Sequence, residues 1–197
     1  MVNTPAQQLG PLDSMLGTLG LALFVVRTWA TSLEVFLHRD LGERYLGWNA
    51  AAVLLLVPLY LLGWERYDPG PMLLFLGAYL FFCFIARMGM VRRRMRGESC
   101  HSMYTGWPRF LGPKAKISEI RMKQFVEPPI TFLVGWMVRG EFNAPLGTYL
   151  MIGAVCLVIS VNASETISRM RTLDMNDAVI EQEQTAERFR IMRGDRE

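Results

Sequence analysis

Residues 46–96 read LGWNAAAVLLLVPLYLLGW, ERYDPGP, MLLFLGAYLFFCFIARMGM and VRRRMR, so that a turn-forming linker separates two apolar runs and a basic stretch follows them. A helix crosses a bilayer core of about 30 Å with about 20 apolar residues, and each run has roughly that length. Lipid cannot satisfy irregular backbone, so the linker with its Pro and Gly residues must lie outside the hydrocarbon. This stretch predicts a transmembrane helical hairpin of an integral membrane protein, in preference to a buried core hairpin of a soluble protein.

The basic stretch gives the hairpin an orientation, because the positive-inside rule places such a cluster on the cytoplasmic side. The chain of 197 residues is 51% hydrophobic with a net charge of only +3, which fits one small membrane domain better than a nucleic-acid-binding domain. We expect a multi-pass protein of the bacterial cytoplasmic (inner) membrane, with the basic loop and the C-terminus in the cytoplasm. The arginines that set this orientation are Arg92, Arg93, Arg94 and Arg96.

The N-terminal region, residues 1–45, combines a polar tail with one long helix. Residues 16–26 are apolar on all sides, and polar residues then recur at helical intervals that place them on one face. The helix either crosses the membrane with its N-terminus outside, which we favour, or lies in the inner interface. Its polar stripe faces cytoplasm or other helices, or it binds an ion or a proton. The stripe comprises Arg27, Thr31, Glu34 and His38.

The second half begins with a basic cytoplasmic loop and interfacial helix, residues 91–127, which we expect to contact anionic lipid headgroups. Residues 128–164 then predict a second transmembrane hairpin. Its later arm, residues 145–163, is a convincing span, whereas residues 130–138 are too few to cross alone and form either a kinked crossing helix or a re-entrant element. Crossing is favoured, because the flanking regions are both basic, and one span between two cytoplasmic regions requires another.

Together these segments predict an all-α fold, a polytopic helical membrane protein with four or five transmembrane helices. Two hairpins account for four of them, and the N-terminal membrane or amphipathic helix is the fifth. A charged, helix-prone cytoplasmic segment ends the chain, and its weak apolar stripe predicts docking onto a partner. The predicted segments, in order, are residues 1–45, 46–90, 91–127, 128–164 and 165–197.

Three sets of residues are candidates for contacts. Small side chains allow close helix approach in a bilayer, polar side chains inside it are functional candidates by default, and apolar side chains on a charged helix need a cover. The candidates for helix packing are Gly47, Ala51, Gly153, Cys156, Ser160 and Ala163. The candidates for intramembrane polar contacts are Arg27, Glu34, Asn49, Glu127 and Asn162, and those for partner docking are Val179, Ile180, Phe189 and Met192.

No nucleotide-binding loop, zinc-protease motif or nucleophile elbow occurs in the sequence. The adjacent Cys100 and His101 have no further ligand at a workable spacing, so we expect no catalytic, cofactor-binding or metal residues and no cofactor. We therefore predict a non-enzymatic membrane subunit, a scaffold or assembly component of a larger complex, whose partners are other membrane subunits or copies of itself. A small transporter or channel is the alternative, and a lipid-modifying enzyme using Cys100, His101 or Glu127 is a third hypothesis.

Overall fold

The computed structural model describes residues 11–39, 41–42, 47–97, 106–109 and 119–193, without the side chains of residues 11–17 and of Trp107. Helices dominate the described residues, which confirms the predicted all-α fold. The chain divides into two compact units, Met1–Ser160 and Val161–Glu197, and each is described by itself. The elements are α1 (Pro11–Leu37), β1 (His38–Arg39), α2 (Trp48–Leu62), α3 (Gly70–Met95), β2 (Trp107–Pro108), α4 (Glu119–Phe125), α5 (Glu127–Glu141) and α6 (Ala144–Arg193).

Three of the described helices are long and apolar enough to cross a membrane, namely α1 over Thr18–Leu37, α3 and α6. This confirms the membrane character predicted from the apolar runs. Helices α2 and α5 contain 15 residues each. That length gives a rise of roughly 22 Å, which is shorter than a hydrocarbon core of about 30 Å. The number of four or five crossings therefore stays a prediction.

The turn between α2 and α3 lies in the charged, Pro-containing linker. The N–H groups of Gly63 and Trp64 donate to carbonyls three residues back, at 3.2 and 2.9 Å, so the chain tightens and α2 ends before the apolar run does. Helix α3 begins at Gly70, whose N–H donates to Asp68 Oδ1 at 3.0 Å. Prolines occupy its N-cap and its first turn, where a missing N–H costs no helical hydrogen bond.

An aromatic cluster joins α1, α2 and α6 in the first unit. The rings of Trp29 and Tyr149 stack with centroids 4.7 Å apart, and Trp29 Nε1 donates to the Tyr149 carbonyl oxygen at 3.0 Å. The buried Tyr149 hydroxyl donates to Ser32 Oγ at 2.9 Å. Tyr60 packs edge-on against both rings and donates to the Pro145 carbonyl oxygen at 2.9 Å. Because their polar atoms are bonded, these large rings fix how the three helices meet.

Helices α3 and α5 present wide apolar surfaces to their surroundings. Helix α3 buries Met72 and Tyr79, whereas Phe81 and Phe84 are 61% and 63% exposed. On α5, Trp136 is 64% exposed. Contiguous apolar surface of this extent is unusual on soluble proteins, and lipid covers such surface in a membrane.

The second unit contains the C-terminal part of α6, which runs as one helix to Arg193. Each of its residues from 165 to 193 is exposed. Charged and apolar side chains are mixed along it. It covers most of the segment for which the sequence predicts a charged cytoplasmic helix, and residues 194–197 lie outside the described part.

Candidate functional site

The polar stripe of α1 faces inward within the first unit. Thr31, Glu34 and His38 have only 0%, 2% and 1% of their surface exposed, and Arg27 is half-buried. Helical spacing places Arg27, Thr31 and Glu34 on one face of α1. The sequence predicted that the helix includes His38, but α1 ends at Leu37 and His38 is the first residue of β1. A carboxylate in such surroundings is costly unless other groups compensate its charge, so the residues that cover this face decide what it can do.

Glu127 meets His38 in this region. Its carboxylate oxygen Oε2 lies 2.8 Å from His38 Nε2, and both side chains are 1% exposed. Glu127 is the first residue of α5, where backbone N–H groups carry partial positive charge and favour an acidic side chain. Two prolines follow it and start the helix there, because a proline in the first turn lacks only an N–H that has no helical partner. The local sequence therefore fixes Glu127 at the N-terminal end of α5.

The short strand pair of β1 and β2 fixes the backbone position of His38. Strand β1 pairs with β2 in antiparallel register, with His38 opposite Pro108, and Arg109 Nε donates to the His38 carbonyl oxygen at 3.0 Å. Gly106, just before β2, has a φ of 85°. A Cβ added to Gly106 would lie 2.9 Å from His38 Cβ, so glycine is needed here for both its backbone conformation and its size.

Lys123 of α4 is also buried, with 5% of its surface exposed. Its ammonium group donates to the Gly106 carbonyl oxygen and to Glu119 Oε1, both at 2.6 Å. The sequence had placed Lys123 in a basic interfacial helix that contacts lipid headgroups. The structure buries the Lys123 side chain instead. This burial is tolerated because two oxygens accept hydrogen bonds from the ammonium group.

Six charged or titratable side chains of the described residues form what we call the ionisable cluster. Glu34 interacts favourably with the charges of His38, Lys123 and Arg27 and unfavourably with that of Glu127. Glu34 Oε2 and Glu127 Oε1 are buried, and no described residue forms a hydrogen bond with either atom. Leaving a buried polar atom unpaired costs about 1–3 kcal/mol, and polar side chains inside a membrane protein are functional candidates by default. The cluster comprises Arg27, Glu34, His38, Glu119, Lys123 and Glu127.

The chemistry open to this cluster is acid–base chemistry. An imidazole hydrogen-bonded to one carboxyl group and close to another can hold a proton at any of the three groups. Among the described residues, no group of three or more His, Cys, Asp or Glu side chains is placed to hold a metal ion. Cys100 and His101, the pair considered for metal or catalysis, lie outside the described residues.

Three of the five predicted intramembrane polar residues come together in the structure. Arg27, Glu34 and Glu127 belong to the ionisable cluster. Asn49 is half-buried in the first turn of α2, and Asn162 is exposed in the second unit. The three that meet are those with a formal charge. Glu34 lies near the end of α1 and Glu127 at the start of α5, whereas Arg27 lies in the middle of the candidate span Thr18–Leu37.

Sequence reasoning selected His38 only as a member of the polar stripe of α1, and it did not select Lys123 as a site residue. His38 and Glu127 are 89 positions apart, so their pairing leaves no local pattern. His38 did carry a signal in the sequence, because its spacing from Glu34 is that of residues on one helical face. Lys123 carried none, because its basic neighbours give the segment the character of a helix that faces headgroups.

The small-residue face of α6 packs against α1. A Cβ added to Gly153 would collide with the Leu33 side chain and would lie 3.2 Å from Trp29 Cδ1. Close approach of these helices therefore depends on glycine at this position. Of the other packing candidates, Cys156 and Ser160 are buried, Ala163 is half-buried, and Gly47 and Ala51 are exposed.

The predicted docking residues lie in the α6 tail, by which we mean residues 165–193. Val179, Ile180, Phe189 and Met192 are 52%, 44%, 64% and 74% exposed. Residues 172–187, here called the acidic stretch, contain no Lys or Arg. The tail therefore presents apolar side chains among carboxylates. The acids of the stretch are Asp174, Asp177, Glu181, Glu183 and Glu187.

Comparison with known proteins assigns no function to this geometry. No protein family, curated protein or solved structure matches the chain. Function is therefore inferred from two features of the molecule, the ionisable cluster and the α6 tail.

Proposed function

We propose that the protein is a non-enzymatic integral membrane subunit, a scaffold or assembly component of a larger membrane complex. The observation that carries this proposal is the α6 tail, a helix in which every residue is exposed. A helix alone in water is only marginally stable, because most helical stability in proteins comes from packing an apolar face. The exposed apolar side chains of the tail therefore favour a partner that covers them.

The charge of the tail indicates the chemistry of that partner. The acidic stretch surrounds Leu173, Val179 and Ile180 with five carboxylates. A basic surface with an apolar groove is complementary to it in both charge and hydrophobicity. The same stretch of a second copy would set carboxylates against carboxylates, which is unfavourable. We therefore favour a different subunit over a second copy as the occupant.

We infer five crossings, made by α1, α2, α3, α5 and the first part of α6, in a bacterial inner membrane with the C-terminus in the cytoplasm. Two contacts support this arrangement. The predicted outer turns meet where Asn143 Nδ2 donates to the Asp68 carbonyl oxygen at 3.1 Å, and the predicted inner segments meet at His38 and Glu127. Reporter fusions placed after Gly97 should report the cytoplasm, and an outer-side signal there would reject this topology.

Anionic lipid headgroups are proposed as a further partner on the inner side. Arg92, Arg94 and Arg96 at the end of α3 are exposed. Exposed arginines next to a membrane span attract the anionic surface of the cytoplasmic leaflet. Lys123, which is buried in the ionisable cluster, takes no part in this contact.

Truncation of the tail tests the assembly proposal. A chain that ends before Asp174 lacks the acidic stretch but keeps all the apolar spans, so it should still insert into the membrane. Its native partner should no longer co-purify in mild detergent, because the surface that it covers is gone. Retained co-purification would reject the tail as the docking element, and loss of self-association instead of a partner would identify a second copy as the occupant.

A matched pair of substitutions distinguishes docking from a general effect of truncation. Ile180→Glu places a charge among the apolar docking residues and should prevent co-purification. Gln182→Ala changes an exposed polar residue two positions away and should leave it intact. Equal co-purification of the two variants would count against docking through the apolar side chains.

A small transporter is the second candidate function, and the ionisable cluster is the observation that favours it. Charged groups inside a membrane protein mark ion and proton pathways more often than they serve packing. In proteoliposomes, a proton or solute flux that Glu34→Gln abolishes and that truncation before Asp174 leaves intact would favour this function over assembly.

A further inference from the structure

The ionisable cluster contains one more carboxylate than it contains permanent cations. Glu34, Glu119 and Glu127 stand against Arg27 and Lys123 when each group is counted at its formal charge. His38 can balance the remaining negative charge of the cluster, since its ring is neutral with one proton and positive with two. Binding or release of one proton therefore determines whether this cluster carries a net charge.

We propose that Glu34, His38 and Glu127 form a buried proton-binding site that takes up and releases one exchangeable proton. With this proton bound the six side chains of the cluster are together neutral, and without it they carry one negative charge; Arg109, a further cation that contacts His38, is exposed. The proton moves between the cluster and bulk water, and no other bond forms or breaks. The site does not depend on the assembly function of the α6 tail, which lies in the other unit.

The geometry offers the proton a place at each of the three groups. His38 Nε2 and Glu127 Oε2 lie 2.8 Å apart, a distance at which either atom can carry the proton that they share. Glu127 Oε1 and Glu34 Oε2 are buried oxygens to which no described residue donates. Glu34 is close enough to His38 and Glu127 to interact electrostatically with both, so a proton at one of the three groups changes the charge that acts on the other two.

The elements packed around the site contribute charges that set its proton affinity. Helix α1 contributes Arg27, whose charge acts on Glu34. Helix α4 contributes Lys123 together with Glu119, which lie 2.6 Å apart and largely offset each other. Arg109 follows β2, and its Nε donates to the His38 carbonyl oxygen at 3.0 Å. The cations favour release of the proton and the carboxylates favour its uptake, so the affinity depends on the balance between them.

A proton fits the site better than a metal ion does. A metal ion needs several ligands that converge on one point, and no such group of His, Cys, Asp or Glu side chains exists among the described residues. A proton needs only one acceptor atom, and the site provides two buried carboxyl groups and an imidazole.

The test follows the imidazole and the carboxyl groups of the full chain in nanodiscs as the pH is changed. The chain contains two histidines, so His101→Gln leaves His38 as the only imidazole that nuclear magnetic resonance of the ring nitrogens detects. Infrared spectroscopy follows the C=O band of a protonated carboxyl group. We expect the imidazole signal, a carboxyl band or both to change over one pH range, because the three groups share a single exchangeable proton. If neither signal changes with pH while the protein stays folded, the proposal is overturned.

Matched variants assign the coupling to named residues. Glu127→Gln keeps the side-chain size and an oxygen that accepts a hydrogen bond, but it removes the charge, and it should lower the proton affinity at His38 at least about tenfold. Glu141→Gln changes the exposed carboxylate at the other end of α5 and should leave that affinity unchanged.

A second variant keeps the assignment testable if Glu127→Gln does not fold. Glu34→Gln leaves both partners of the His38–Glu127 hydrogen bond in place, and it should also lower the proton affinity at His38, by less than Glu127→Gln does. Circular dichroism and elution as a single species establish folding for each variant. Equal proton affinity in Glu34→Gln and Glu141→Gln overturns the proposal.

Discussion

The ionisable cluster and the α6 tail are both dense in charge, yet they differ in what surrounds the charges. In the cluster, Glu34, His38 and Glu127 are at most 2% exposed. In the tail, every side chain is exposed. A buried charge must be compensated inside the protein, whereas exposed charges are solvated and leave the apolar residues between them available to a partner. Burial, and not charge density, is therefore what distinguishes the cluster from the tail.

This difference predicts opposite sensitivities in the two regions. Substitutions in the cluster should change the stability of the first unit, because they leave buried groups without compensation. Substitutions in the tail should change binding with little effect on stability, because exposed side chains contribute little to the folded state. The substitutions below are ordered by the size of their expected effect on stability.

The largest effect is expected from removal of the buried carboxylate. Glu127→Ala leaves His38 without its ion-pair partner and should lower the free energy of unfolding by about 3 kcal/mol. Unfolding by denaturant in detergent measures this change. Glu183→Ala, in the exposed tail, is the control and should show no measurable change, and equal destabilisation by the two variants would break the contrast between the regions.

A smaller effect is expected where α1 and α6 approach each other. Gly153→Leu inserts a side chain where even a Cβ collides with Leu33, and the overpacking should cost about 2 kcal/mol. Gly77→Leu is the control, because an added Cβ at Gly77 meets no atom within 4 Å. Both variants are compared by thermal unfolding in the same detergent. If Gly153→Leu is as stable as the control, the small-residue face of α6 does not pack in the first unit.

The smallest effect on stability is expected beside the strand pair. Gly106→Ala forces a side chain into a backbone conformation with positive φ and towards His38, which should cost about 1 kcal/mol. It should also alter the surroundings of the ring, because Gly106 helps to place His38. Gly140→Ala, at a helical glycine with open space around it, should not destabilise the protein. If the His38 resonance shifts in Gly106→Ala but not in Gly140→Ala, the strand pair helps to position His38 in the cluster.

The sequence predicted the helical and membrane character because that information is local. A span needs about 20 consecutive apolar residues, and α3 satisfies this requirement within one uninterrupted run. The hairpin turn was equally readable, because Pro69, Gly70 and Pro71 end any helix that approaches them. Helix α2 is shorter than its apolar run, because the hydrogen bonds of Gly63 and Trp64 shift to carbonyls three residues back.

The cluster was only partly predictable, because its assembly is not local. Helical spacing identified the stripe of Glu34 and His38, but not the residues that cover it. Glu127 was recognised as a polar residue near a span, yet its partner is 89 positions away. Lys123 was assigned to the headgroup region because nothing in its sequence neighbourhood reveals that the Gly106 carbonyl accepts its hydrogen bond.

The contrast between the two regions is tested most directly by labelling carboxyl groups with a water-soluble carbodiimide, which reports exposure to solvent, and by mass spectrometry of the purified protein and of its native assembly. We predict that Glu34 and Glu127 remain unmodified in both preparations. Asp177 and Glu181 should be modified in the purified protein and protected in the assembly, because the proposed partner would cover the acidic stretch. Labelling of Glu34 and Glu127 as fast as the tail carboxylates, or equal labelling of the tail in both preparations, would contradict this account.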